Sequence, residues 1–229
     1  MDGPGAKTIP ILRTKITLPR PHPETTPRRS LEARLVSALG GKLVLVSAPA
    51  GYGKTTLLTR VLGDADIPVA WLSLDENDDQ PQRFWSNVIS ALQAVLPGSC
   101  GQAQALLGTP QPPPFELVLV ELVNDLVYSG QELILVLDDL HEICSAEILG
   151  NLAALIEKMP PNLHLILSSR QTPTLQLARL RARRELAEFT AADLRFQPPE
   201  IERLFNELFT LDLSAGDLDT LENLTEGWI

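Results

Sequence analysis

The segment Ser47-Ala-Pro-Ala-Gly-Tyr-Gly-Lys-Thr-Thr-Leu57 constrains the fold more than any other part of the chain. Before it runs the aliphatic stretch Lys42-Leu-Val-Leu-Val-Ser47, and after it Lys54-Thr-Thr-Leu-Leu-Thr-Arg-Val-Leu62, whose apolar residues recur at helical spacing. Strand, glycine-rich turn, helix is the order in which a phosphate-binding loop is built, and Gly-Lys-Thr in phase completes the Walker A pattern with Ala48 in place of its first glycine. Gly51 and Gly53 stand where main chain must approach phosphate oxygens with no Cβ in the way, so that backbone N–H groups form an anion-binding nest. The helix that starts at Lys54 adds its N-terminal donors and partial positive charge. Ala48, Pro49, Ala50, Gly51, Tyr52, Gly53, Lys54, Thr55 and Thr56 are therefore the candidate nucleotide-binding residues. Within them Lys54 is placed to reach the β- and γ-phosphates, Thr55 to bring its hydroxyl to Mg²⁺, and Thr56 to meet the α-phosphate.

The alternation continues downstream. Val69–Leu74 reads as a strand and Pro81–Leu96 as an amphipathic helix. Pro97–Pro114 reads as an irregular connection. A helix over Phe115–Tyr128, a strand over Leu133–Leu137, a helix near Ala146–Met159, and strands over Leu163–Leu167 and Leu186–Phe189 follow. This order predicts an α/β P-loop NTPase fold, a parallel five-stranded sheet with helices on both faces. The predicted division is an extended arm over 1–29, rich in proline and basic residues, a core over 30–190, and the start of a helical or winged-helix subdomain over 191–229. Ser30 is the expected N-cap of a first helix ending at Leu39, and Pro198–Phe209 a helix of the last unit.

Leu133-Ile-Leu-Val-Leu-Asp-Asp-Leu-His141 ends five apolar residues in two carboxylates, as a buried strand delivering acid to a phosphate site should. Asp138 is the candidate Mg²⁺ ligand together with Thr55, held on a strand expected to neighbour the loop, and Asp139 the candidate general base for the attacking water. Leu163-His-Leu-Ile-Leu-Ser-Ser-Arg170 also ends in polar residues, which makes Arg170 a candidate phosphate sensor beside catalytic Lys54 and Asp139. His141 reads as a surface histidine. Asp75, Glu76, Asp78 and Asp79 read as an acidic turn before the Pro81 helix rather than a metal site. Arg179, Arg181, Arg183 and Arg184 lack aromatic neighbours and read as a solvated or internally paired stretch.

A formal charge of −10 repels DNA and anionic membranes, which argues against nucleic-acid binding by this segment. Cys100 and Cys144 match no metal or redox spacing and read as free thiols. With no apolar leader at Met1–Lys15 and no membrane-length apolar run, the expected location is the cytoplasm.

Together these motifs resemble the ATPase domain of the MalT-like branch of large LuxR-type transcription activators, a branch of the signal-transduction ATPases with numerous domains (STAND, NB-ARC/AAA-like). The resemblance rests on Leu12-Arg-Thr-Lys-Ile-Thr-Leu-Pro-Arg20, the Ala-Pro-Ala-Gly-Tyr-Gly-Lys-Thr loop, Ala70-Trp-Leu-Ser-Leu-Asp75 with Phe84-Trp85, Leu137-Asp-Asp-Leu-His141, Ser168-Ser-Arg170, Asp193-Leu-Arg-Phe196 and Thr225-Glu-Gly-Trp228. It implies ATP/ADP with Mg²⁺ as ligands, slow ATP hydrolysis serving a nucleotide switch, and self-association in the ATP state. It also implies inducer and DNA contacts only through domains that this chain does not include, and an arginine at Arg28 that touches the nucleotide. Read from the residues alone, the same loop also suits a P-loop phosphotransferase such as a small-molecule kinase, or a nucleotide-gated module that does not hydrolyse.

Overall fold

The computed structural model describes residues 11–21, 25–209, 216–217 and 220. The short aliphatic runs form strands β1 (Leu43–Ser47), β2 (Val69–Ser73), β3 (Leu133–Asp138), β4 (Leu163–Ser169) and β5 (Leu186–Thr190). They pair in parallel throughout, in the order β2-β3-β4-β1-β5. All five strands therefore end at one edge of the sheet, the edge at which open α/β folds place their ligands. One expectation fails: β3 does not neighbour β1, because β4 lies between them. Sequence order carries no record of that insertion, since all three strands are short, largely apolar runs.

Side chains alternate across each strand into two cores. Leu43, Leu45, Leu72, Leu135, Leu137 and Leu165 face helices α3 (Pro81–Val95), α4 (Gly101–Leu107), α5 (Phe115–Ser129), α6 (Ala146–Lys158) and α7 (Ala178–Arg183). Val44, Val46, Trp71, Ile134, Val136 and Ile166 face α1 (Arg29–Ala38) and α2 (Lys54–Gly63) on the other side. Both faces of the sheet are thus covered, which is why its strands read as continuous apolar runs rather than alternating ones. A short α8 (Ala191–Leu194) and α9 (Pro198–Phe209) follow β5. No helix among the described residues is long and apolar enough to cross a membrane.

Two local expectations are corrected, and a third, the acidic turn before the Pro81 helix, is seen as expected. The first helix starts at Arg29 with Arg28 as its N-cap, so Ser30 lies inside it and makes no cap. The connection over 97–114 is not wholly irregular: Cys100, in the left-handed region at φ 57°, turns the chain into α4, whose Ala103 and Leu107 are buried against the α3–α5 side. The flanking Pro and Gly hid that short helix. The acidic turn is structural: Asp75 and Asp78 form a capping box, and Asp79 accepts N–H bonds from Cys144 and Ser145 at 3.0 and 2.8 Å at the start of α6. Among the described residues no group of acidic, His or Cys side chains is arranged to hold a metal by itself. His22 and Thr225–Trp228 lie outside the described residues.

The arm is not free. Arg13–Ile16 forms a 3₁₀ turn against β2 and α3, Ile11 and Ile16 pack on the core, and Lys15 pairs with Asp75 at 3.0 Å and with the fully buried Asp78. Asp78 also accepts Asn87 Nδ2 at 2.7 Å and the Asp75 N–H at 2.9 Å. Lys15→Met keeps the apolar stem and removes the ammonium, and it is expected to lower folding stability by about 2 kcal/mol, read as a shift in urea midpoint at constant slope.

Candidate nucleotide-binding site

The loop grows directly out of β1. Ala48 N–H still bonds Ser169 O at 3.2 Å, extending the ladder by one residue before the chain turns. Gly51 and Gly53 then take φ 83° and 72°. At Gly53 an added Cβ would meet nothing within 4 Å, so the demand for glycine there is conformational rather than steric. Gly53 caps α2, and its carbonyl accepts the Leu57 N–H at 2.8 Å.

Lys54, the first residue of α2, is buried, and its ammonium folds back on the loop, donating to Ala48 O at 2.8 Å and Pro49 O at 3.0 Å. Burial pulls its pKa below the ordinary lysine value; the Asp139 and Asp138 carboxylates oppose this, and the Arg170 charge adds to it. Among the described residues this cation has carbonyl acceptors and no anionic partner at hydrogen-bond range, which a phosphate oxygen would supply.

Asp138 arrives from β3, across the width of β4, and still meets the loop helix: Thr55 Oγ1 donates to Asp138 Oδ2 at 2.9 Å. Asp138 is 3% exposed, and its other oxygen, Oδ1, is buried without a hydrogen-bond partner among the described residues. Burial raises its pKa above the usual carboxylate range and the Asp139 charge raises it further. The neighbouring Ser168 hydroxyl and the Thr55 hydroxyl pull the other way. A hydroxyl and a half-orphaned buried carboxylate form a hard oxygen donor pair of the kind that suits Mg²⁺.

Asp139 sits at φ 60°, a left-handed position that aspartate tolerates better than most residues, and its side chain is partly open to solvent. His141 is not a surface histidine: its ring is packed between the two carboxylates, Nδ1 3.8 Å from Asp139 Oδ1 and Nε2 3.2 Å from Glu142 Oε1, with neither nitrogen in hydrogen-bond geometry. Arg170 follows Ser169 at the end of β4, exposed and close enough for its charge to act on Lys54. Arg170 thus follows the strand that lies between those carrying the loop and the aspartates. The arginines of α7 and its edge are internally paired where contacts are seen, Arg179 with Glu157 at 2.7 Å and Arg181 with Glu188 at 2.6 Å.

Arg28 is positioned differently from the loop residues. Its guanidinium donates to Leu194 O and Arg195 O, each at 2.6 Å, bonds Glu200 Oε2 through Nε at 3.1 Å and Nη2 at 3.0 Å, and lies 4.5 Å above the Phe196 ring. It lines a cavity of ≈ 250 Å³ that opens from Gly51, Gly53 and Thr56 toward Leu57, Leu194 and Phe196. Sequence reasoning found the loop side of this cavity and Arg28 but missed Thr25, Thr26, Glu32, Arg60 and the 194–204 wall. Leu194 and Phe196 belong to the Asp193-Leu-Arg-Phe196 motif, but nothing local marks them or the others as cavity wall; long-range packing assembles it.

With this geometry in place, comparison with known proteins is informative. The AAA domain family matches residues 38–172, more than half of the chain. The HTH-type transcriptional regulator MalT of Serratia proteamaculans is 36% identical over 219 residues, covering 95% of this chain but only 24% of the regulator. The chain thus spans about a quarter of the length of the curated relatives it matches. The Walker-type ATPase of Pyrococcus abyssi superposes with a TM-score of 0.54 at 18% identity, over 92% of this chain and 66% of that one. A STAND protein with a tetratricopeptide-repeat sensor from Pyrococcus horikoshii gives 0.52 at 17% identity, over 91% and 29%. At such identities the solved structures speak for the fold alone, while the match over 38–172 settles the family: the chain belongs to the AAA domain family, carries the P-loop NTPase fold and is similar to MalT-type regulators.

Proposed function

We propose that this chain is the nucleotide-switch module of a MalT-like transcription regulator of the LuxR type. In this reading it binds ATP or ADP with Mg²⁺ and hydrolyses ATP slowly; the difference between the two states controls self-association. Inducer and DNA are handled by other parts of a longer cytoplasmic protein, of which residues 191–229 begin a helical or winged-helix subdomain, 30–190 form the ATPase core and 1–29 the arm. The −10 charge fits a segment that does not itself hold DNA.

The observation that carries this reading is the 2.9 Å bond between Thr55 Oγ1 and Asp138 Oδ2, which joins the loop and the acidic strand end into one site across an intervening strand. The nest from Ala48 to Gly53 and the Lys54 ammonium bind the polyphosphate, and Thr56 meets its α-phosphate end. Thr55 and Asp138 are the residues that would hold Mg²⁺, whose contribution when bound is to neutralise charge on the β- and γ-oxygens. Asp139, more exposed than Asp138, takes the proton of the attacking water, and Arg170 answers the presence or absence of the γ-phosphate.

Asp138 also supplies the test. Its pKa is raised by burial, so its ionised form destabilises the fold where no cation compensates; such a group costs stability as pH rises past its ordinary value. Asp138→Asn is therefore expected to leave the nucleotide-free protein at least as stable, measured by its melting temperature at pH 7. The same variant should lose the Mg²⁺-dependent part of ATP affinity, about tenfold or more by calorimetry with and without Mg²⁺. Equal Mg²⁺ dependence in wild type and variant would sink the assignment.

A further inference from the structure

Helix α5 is apolar on both sides. Its inner side packs Val118, Leu119, Leu122 and Leu126 into the core. Its outer side leaves Leu117 55%, Val120 46%, Val127 52% and Tyr128 85% exposed, four of the six large exposed apolar side chains among the described residues. At helical spacing, with Asn124 between them, these positions form a single stripe along the whole helix. A surface helix ordinarily turns polar residues outward, so a continuous outer apolar stripe marks a side that another molecule covers. Glu116 stands on one border of the stripe and Glu121 and Asp125 on the other, Glu132 follows the helix, and α5 carries no basic residue. None of these four carboxylates has an ion-pair partner among the described residues.

The complement of that stripe lies on the same chain. A groove of ≈ 410 Å³ runs between α6 and the segment over 175–185. Ala153 and Ala154 of α6 keep one wall low enough for a neighbouring helix to approach, and Leu175, Leu177 and Leu180 complete the apolar lining. Its charge runs the other way from that of α5. Glu157 and Glu185 in the lining already have Arg179 at 2.7 Å and Lys42 at 4.0 Å. Arg183 in the lining and Arg184 beside it are exposed and without an ion-pair partner among the described residues, a local positive excess on a chain of charge −10. We infer that the outer side of α5 docks in the α6–α7 groove of a second copy of this chain, apolar stripe on apolar lining and unpaired carboxylates toward unpaired arginines. Both surfaces belong to helices packed on the same core, over one face of the sheet. A two-fold axis between them lets each copy insert its α5 and receive the other's, so the contact is made twice and the assembly closes as a dimer. The inference names a surface for the self-association in the reading above, and rests on that reading only for control by nucleotide.

The test exchanges the charges. One variant carries Glu121→Lys and Asp125→Lys, the other Arg183→Glu and Arg184→Asp, aspartate being chosen because it tolerates the φ of 58° at that position. Sedimentation of the wild type at about 100 µM is expected to show a dimer. Each variant alone should associate about tenfold more weakly, because its stripe and its groove now carry like charge. An equimolar mixture of the two should regain wild-type association, since every stripe then meets a groove of opposite sign. Tyr128→Ser, which removes exposed apolar surface and no charge, should weaken the dimer while the melting temperature of the monomer stays within a few degrees of wild type. Wild type that remains monomeric both with and without Mg²⁺·ATP overturns the inference, as does association that ignores the single variants or is not regained on mixing. Association that follows the charge exchange equally in both conditions supports the interface and removes only its control by nucleotide.

Discussion

Lys54→Ala is expected to weaken ATP and ADP binding by about a hundredfold, with the fold left intact. The physical basis is the position of the ammonium in the structure. It is 7% exposed, held by Ala48 O and Pro49 O, and partly desolvated, as the lowered pKa records. A buried cation on neutral acceptors contributes little net stability, because the loss of hydration offsets two hydrogen bonds. Its removal therefore costs the fold little, and a melting temperature within a few degrees of wild type is expected. Binding is another matter. A polyphosphate placed in the nest carries several negative charges into the same partly dehydrated space, and without Lys54 only main-chain dipoles and the end of α2 remain to meet them. Calorimetry at fixed Mg²⁺ reads the effect, and undiminished affinity would remove the phosphate-loop assignment altogether.

The second large effect lies at Asp139. Asp139→Asn is expected to slow single-turnover ATP hydrolysis by about a thousandfold while leaving ATP affinity within a few fold. Asparagine keeps the size and the tolerance for the left-handed backbone at φ 60°, so the strand end should not rearrange. It loses only the ability to accept a proton. Asp138 is poorly placed to substitute, because it is buried and already bonded to Thr55. If nucleotide state controls self-association, the variant should also stay assembled in ATP long after the wild type has returned to its ADP form, which sedimentation over time would show. An unchanged hydrolysis rate would remove Asp139 as the base and favour a nucleotide-gated module without turnover.

How much of this was legible beforehand differs from element to element. The strand, turn and helix around Gly51–Lys54 and the strand ending at Asp138 stand where the sequence places them, because Gly-Lys-Thr after an aliphatic run leaves a local trace. Strands β1 to β5 were legible for a different reason: a sheet covered on both faces needs uninterrupted aliphatic runs. Their lateral order was not. Leu133–Asp138 and Leu163–Ser169 are both largely apolar, and nothing in either says which lies beside Leu43–Ser47. Helix α4 was missed because Gly98 and Pro97 mark a turn, whereas the apolar contacts that stabilise Gly101–Leu107 come from elsewhere in the chain. His141 was misread for the same reason, its burial between Asp139 and Glu142 being a tertiary event. The cavity wall at Thr26, Arg60 and Phe196 joins three segments far apart in sequence, and no motif links them.

The docked arm has a consequence for the whole molecule. Strand β2 is the outermost on its flank, and a bare flank offers a row of unmatched amides to any passing chain. Here the Arg13–Ile16 turn, pinned by Lys15, packs against that strand and α3. Whatever joining of copies this molecule undertakes is thereby steered away from indiscriminate ribbon-on-ribbon stacking and toward its helical and ligand-bearing surfaces.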